Sequence, residues 1–316
     1  MDIRGIAIFL GLTYSVGYAI AWGGLTSGLL SFESGSILHT LLMVVLLNLP
    51  ALFAFIAGQT GRGPVLTRVF PINRVAVLRV GVLMTLVFAA YNFIGAAFGF
   101  TTLDWRLGTL INVLQQSTGT PLSPEAISVL PAFLIVAGTL LTIVFGATLV
   151  AACVLGHVYA WHAFLQDRLA PLGRIRATIA GGALWALWFA PLAYAYVRTT
   201  GTLESPDYLS RIYFLPIGGI LVAIGLTAVV RRAYEVSGGL GLPAVVLGSF
   251  IAHGSGAALS IWNYLFQIET HPWTGLFGVI SALVWLLLAI FPGVLVGGPS
   301  ATPAAKPLPD AHAAKA

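Results

Sequence analysis

The 316-residue chain is 58% hydrophobic and only 8% charged, with a mean hydropathy of +0.95. Soluble domains carry about 25% charged residues, so this composition excludes a soluble globular protein and leaves an integral membrane protein. The net charge of +5 points to cytoplasmic loops rather than to nucleic acid, and the single cysteine, Cys153, excludes a disulfide framework.

A membrane-spanning helix needs about 20 apolar residues. Eight stretches qualify in chain order, at about residues 5–27, 37–58, 78–100, 129–153, 178–197, 212–230, 239–262 and 274–297. Backbone hydrogen bonding in lipid leaves helices or a closed barrel, and segments of this length are helices. The expectation is an all-α polytopic protein of about eight transmembrane helices. The first stretch mimics a signal peptide at Ala19-Ile20-Ala21, but its apolar run continues past that site, so it reads as a retained helix. The fourth continues as helix to about Leu165. Residues 1–297 form one transmembrane domain, and the Pro- and Ala-rich stretch 298–316 reads as a disordered cytoplasmic tail.

Charge fixes the orientation. With the N-terminus in the cytoplasm, the inner segments hold Arg4, Arg62, Arg68, Arg74, Arg79, Arg168, Arg174, Arg176, Arg231, Arg232, Lys306 and Lys315, twelve of the 15 basic residues. Only Arg106, Arg198 and Arg211 fall outside. The positive-inside rule therefore places both termini in the cytoplasm. The expected location is a bacterial cytoplasmic (inner) membrane.

All ten acidic residues fall in loops or tails on this topology. Ionisable groups inside a membrane usually mark function, so an ion pump or proton-coupled transporter lacks its carboxylate. The polar residues read within or beside spans are His39, Asn92, His157, His162 and His253. His39 lies near an outer interface, and Asn92 suits a helix–helix hydrogen bond. His157 shares a helix face with Cys153, Trp161 and Phe164. His162, five residues on, points about 140° away in an α-helix, which separates the two as ligands of one metal and leaves His162 free to snorkel toward headgroups. His253 shares a small, slightly polar face with Ser249, Gly256, Ala257 and Ser260.

Four stretches carry a family resemblance: "NLPALFAFIAGQTGRGPVLTRVF", "LGHVYAWHAFLQDRLAPLG", "GALWALWFAPLAY" and "GGLGLPAVVLGSFIAHGSGAA". The first resembles the second helix and basic loop of the CPBP family, the CAAX-protease and bacteriocin-processing intramembrane proteins. The second is similar to that family's first motif, L-G-E-E-x-x-W-R-G-F-L-x-x-R-L. The third is similar to W-A-L-W-H-x-P, and the fourth to G-x-L-x-P-A-I-x-x-H-x-S-x-N-A. The resemblance implies that the first glutamate and the second-motif histidine activate a water, while the third-motif histidine and asparagine hold the oxyanion.

The departures fall on those same positions. The paired glutamates become His157 and Val158, the first-motif arginine becomes His162, and the following glycine becomes Ala163. The second-motif histidine becomes Phe189, and the asparagine becomes Ala257, while His253 is retained. Losing one oxyanion donor alone costs about 10²–10³ in rate. The expectation is a catalytically degenerate pseudoprotease whose cavity, lined by Trp161, Trp185 and Trp188, takes a lipid, a membrane peptide or a partner transmembrane helix, with no metal and no cofactor. Two alternatives stand beside it: a divergent CAAX-type endopeptidase with His157 as base and His253 as donor, and a bis-histidine haem protein using the same two residues. A zinc site lacks a third ligand.

Overall fold

The computed structural model describes residues 1–28, 37–60, 73–191, 208–254, 261–267 and 277–297, with the side chains of 37–40, 208–215 and 263 outside that description. Ala257, the tail 298–316 and the side chain of His39 therefore lie outside the described residues. The described chain is all-α apart from one two-residue ladder.

Three long helices open the fold: α1 (Ile3–Thr26), α2 (Ile37–Thr60) and α3 (Arg74–Ala97). Asp2 caps α1 by accepting from the Gly5 amide at 2.9 Å, and Asn73 caps α3 through the Val75 and Ala76 amides. Each satisfies donors that the first turn cannot. Strand β1 (Thr102–Leu103) and a short helix, α4 (Gly108–Thr118), follow. Between them Leu107 is held at φ 49°. The Asp104 carboxylate stabilises this left-handed residue by accepting from the Arg106 and Gly108 amides.

The fourth span is longer and less regular than the sequence suggests. Helix α5 (Pro124–Phe145), capped by Ser123, runs into a π-helical turn, Gly146–Val150. Then come α6 (Ala151–Cys153), α7 (Leu155–Val158), a second π-helical turn, Tyr159–Phe164, and α8 (Leu165–Leu169). Helix α9 (Arg174–Trp188) is followed by α10 (Tyr208–Ser237), α11 (Gly241–Gly254), α12 (Trp262–Leu265), strand β2 (Phe266–Gln267), α13 (Val279–Ile290) and α14 (Gly293–Val296). Among the described residues, five helical stretches are long and apolar enough to cross a membrane: Ile3–Thr26, Leu41–Thr60, Arg74–Ala97, Pro124–Cys153 and Pro216–Ser237. Helices α11 and α13 are apolar but shorter.

Close helix contacts rest on glycine. A Cβ on Gly182 would sit 2.6 Å from the Ile224 Cα, and one on Gly248 would sit 2.4 Å from the Gly146 carbonyl oxygen. Such backbone approach replaces the hydrophobic drive that lipid removes between helices. Outward faces are apolar, as at Val129, Phe133, Val136 and Leu140 of α5, which suits a lipid surround.

Polar contacts join the helix ends in two groups. At one end Arg168 pairs with Asp2 and Asp167, Arg174 pairs with Glu235, and Arg79 donates to the Val294 carbonyl at 2.8 Å. At the other, β1 and β2 pair antiparallel, with Thr102 opposite Gln267.

Candidate functional site

The site is built on a helix break. Val154 takes φ −106° and ψ 6°, which ends α6 and leaves the Gly156 amide and the Cys153 carbonyl without their helical partners. Asn48 of α2 supplies both: its Oδ1 accepts from the Gly156 amide at 3.0 Å and its Nδ2 donates to the Cys153 carbonyl at 2.6 Å. Residue 156 must be glycine for this approach, since a Cβ there would lie 2.5 Å from Asn48 Oδ1. Asn48 escaped the sequence reading because it sits inside a uniformly apolar run. An amide in such a run was the available signal.

One residue past the clamp, His157 is buried between α2 and α9. Its Nδ1 lies 2.8 Å from the Leu47 carbonyl oxygen, and its Nε2 accepts from the Trp185 indole at 2.5 Å. A carbonyl only accepts and an indole N–H only donates. The proton is therefore on Nδ1, and the Nε2 lone pair is occupied. Pro50 stands inside α2 three residues beyond Leu47, where it removes the amide that would bond the Leu46 carbonyl. The Phe189 ring lies 5.8 Å from the His157 ring and 6.0 Å from Trp185. Val158 is fully buried.

The π-helical turn after Val158 overturns the angular argument for His162. With an extra residue in the turn, His162 comes round to the same neighbour as His157. Its ring meets Trp185 edge-on at 4.9 Å, while His157 lies 5.8 Å from that indole. His162 is buried, not snorkelling, and neither ring nitrogen has a hydrogen-bond partner among the described residues.

The three tryptophans are buried in one aromatic cluster with α1. Trp161 packs on Phe9 at 5.3 Å and on Trp188 at 6.4 Å, and Trp188 stacks on Tyr18 at 6.3 Å. Tyr14 and Tyr18 donate to the Leu184 and Leu187 carbonyls of α9. Gly17 makes room for the Trp188 ring.

His253 sits in a second polar nest. Its Nδ1 donates to the Ser249 carbonyl at 2.8 Å, and Nε2 lies 2.8 Å from Thr85 Oγ1 of α3. The same logic leaves Nε2 as an acceptor, which shares the single Thr85 hydroxyl proton with the Gly81 carbonyl at 3.0 Å. Phe88 covers the ring at 5.1 Å. No hydrogen bond or ring contact joins His157 to His253 among the described residues. Asn92 donates back to the Phe88 carbonyl of its own helix, so the interhelical amide is Asn48 instead.

Below the aromatic cluster Arg168 is buried, with its guanidinium 4.2 Å over the Phe164 ring and 2.9 Å from Asp167. By sequence it falls in an inner segment beyond the fourth span. Among the described residues, no group of three or more His, Cys, Asp or Glu side chains is placed to hold a metal ion. Compared with known protein families, curated proteins and solved structures, the chain matches none.

Proposed function

We propose that this chain is a degenerate CPBP-like intramembrane protein that binds an apolar ligand instead of cleaving one. The carrying observation is the state of His157. A base needs a free lone pair aimed at water, and the Nε2 lone pair of His157 is taken by the Trp185 indole. The resemblance puts the family's first glutamate at position 157 and its second-motif histidine at position 189, and these two side chains are neighbours here. That adjacency supports the resemblance. The apolar Phe189 in the pair supports loss of the water-activating step.

The alternatives gain no support. A histidine base at 157 would have to break its indole bond, and a bis-histidine haem site would need free nitrogens on two rings that have spent theirs. The proposed occupant is a lipid, a membrane peptide or a partner transmembrane helix, held against the aromatic faces of α1 and α9 without cofactor or metal.

The same reading takes the chain as eight spans in a bacterial cytoplasmic membrane with both termini inside and residues 298–316 as a cytoplasmic tail. The end contacts support it: Asp2 with Arg168 and Arg174 with Glu235 each join two segments read as inside, and Arg79 with Val294 joins the inner ends of the third and eighth spans. The β1–β2 ladder joins two segments read as outside.

The test is incubation of the purified protein with prenylated and unprenylated peptides. The expected result is saturable binding of a fluorescent prenylated peptide and no cleavage. Cleavage that His157→Ala abolishes would overturn the proposal and make this a divergent enzyme.

A further inference from the structure

We infer that Arg174, Arg231 and Arg232 form a binding site for the phosphate of an anionic phospholipid, at the junction of α8, α9 and α10. The inference does not depend on whether the chain binds or cleaves a peptide. Three guanidinium groups converge there on one carboxylate. Arg174 Nη2 lies 3.4 Å from Glu235 Oε2, Arg231 Nε lies 3.4 Å from Oε1, and Arg232 Nη1 lies 3.4 Å from Oε2. Glu235 offsets one of the three charges and leaves two. The nearby carboxylates of Asp2 and Asp167 share the single charge of the buried Arg168, which leaves one negative charge beside the cluster. Exposed Arg4 and Arg176 add to the same end.

The backbone adds to this charge. Helix α9 begins at Arg174 with no side-chain cap on its first amides, and two arginines occupy its first turn. That arrangement works against the helix dipole, and an anion seated there relieves it. Behind the cluster the Gln166 carboxamide is buried, with its oxygen facing Arg231 Nη1 at 3.4 Å and its nitrogen packed against Gly181, without a hydrogen-bond partner among the described residues. Arg231 also reaches the Arg174 carbonyl at 3.5 Å, which ties α10 to the start of α9.

The occupant is a lipid headgroup and not a free phosphate because of what continues beneath it. Leu172, Ile175, Ile179 and Leu187 are exposed apolar residues that begin beside Arg174 and run along α9. A phosphate on the arginines places its acyl chains along that strip. Guanidinium forks match phosphate oxygens in pairs, and basic residues near an anionic surface each contribute about a fivefold change in affinity.

The test is native mass spectrometry of the detergent-solubilised protein with added phosphatidylglycerol or phosphatidylcholine. Preferential retention of phosphatidylglycerol is expected, weakened about fivefold by Arg174→Gln and on the order of a hundredfold by neutralising all three arginines. Arg106→Gln, remote from the cluster in the sequence-derived topology, should leave retention unchanged. Should the triple variant fail to fold, salt decides on the wild-type protein: raising sodium chloride from about 50 to 500 mM should remove most of the preference. Equal retention of the two lipids, a salt-independent preference, or an intact preference in a folded triple variant would each overturn the site. Displacement by millimolar inorganic phosphate would reassign it to a free anion and overturn the lipid assignment.

Discussion

Trp185→Phe is the most direct perturbation of the site. It keeps an aromatic ring against His157, His162 and Phe189 but deletes the indole donor to His157 Nε2. A buried acceptor left without its donor costs about 1–3 kcal/mol. Interhelical hydrogen bonds within membranes measure lower, averaging about 0.6 and reaching about 1.7 kcal/mol. A 2.5 Å contact between two buried rings belongs at the upper end of that range. Shrinking the indole to a phenyl adds a void worth about 1 kcal/mol. The single variant should therefore lose about 2–3 kcal/mol of unfolding free energy, measured by steric trapping in bicelles. The void is separated from the bond by a cycle with His157→Leu, in which the coupling energy should be about 1 kcal/mol. A coupling below about 0.3 kcal/mol would refute the bond as a stabilising contact. Nitrogen-15 spectra give an independent reading, because the geometry requires the His157 proton on Nδ1. An Nε2–H tautomer in the unmodified protein would refute the whole assignment, including the occupied lone pair on which the loss of base chemistry rests.

Asn48→Ala removes both bonds that bridge the break at Val154 and should cost about 1–2 kcal/mol; hydrogen exchange at the Gly156 amide should quicken, and unchanged protection would show the clamp to be dispensable. Gly248→Ala forces a Cβ against the Gly146 carbonyl and the Ala151 amide, fixed backbone that cannot yield, so it should cost about 3 kcal/mol or prevent folding. Gly23→Ala, which meets nothing within 4 Å, should instead gain about 0.5–1 kcal/mol. Reporter fusions after Arg176 and Arg232 should read cytoplasmic and those near Glu125 external; an external signal after Arg176 contradicts the eight-span topology.

Much of the architecture is legible because apolar length and helix formation are one signal in lipid. Each predicted stretch contains a helix, and the N-caps at Asp2, Asn73 and Ser123 sit near the expected starts. Other features have no local signature. Helix α4 and the β1–β2 ladder arise where the sequence reads as a polar loop, held by the Asp104 turn and by the pairing of two distant segments. Arg168 reads as a solvated loop charge because its burial depends on Asp2, 166 positions earlier. The π-helical turns are the costliest omission. Residues 159–164 carry no helix breaker, so the 100° rule is the natural one to apply, and it sends His162 away from His157. The inserted residue is stabilised by packing on α1 and α9, which no window of sequence contains.

The candidate site shows why a residue type is a weaker signal than its partners. His157 and His253 stood out because an ionisable residue in an apolar run is costly, and cost suggests use. The structure offsets that cost differently: each ring gives its proton to a backbone carbonyl and accepts one hydrogen bond, from Trp185 or from Thr85. A neutral imidazole with both nitrogens engaged is a helix-bridging group, and the same bonds that suit it to an apolar surround occupy its lone pair. His162, set aside as an interfacial residue, has the opposite character. It is buried against Trp185 with neither nitrogen partnered among the described residues, so a donor or acceptor entering this junction finds its open valences on His162 and not on the two histidines that the motif resemblance nominates.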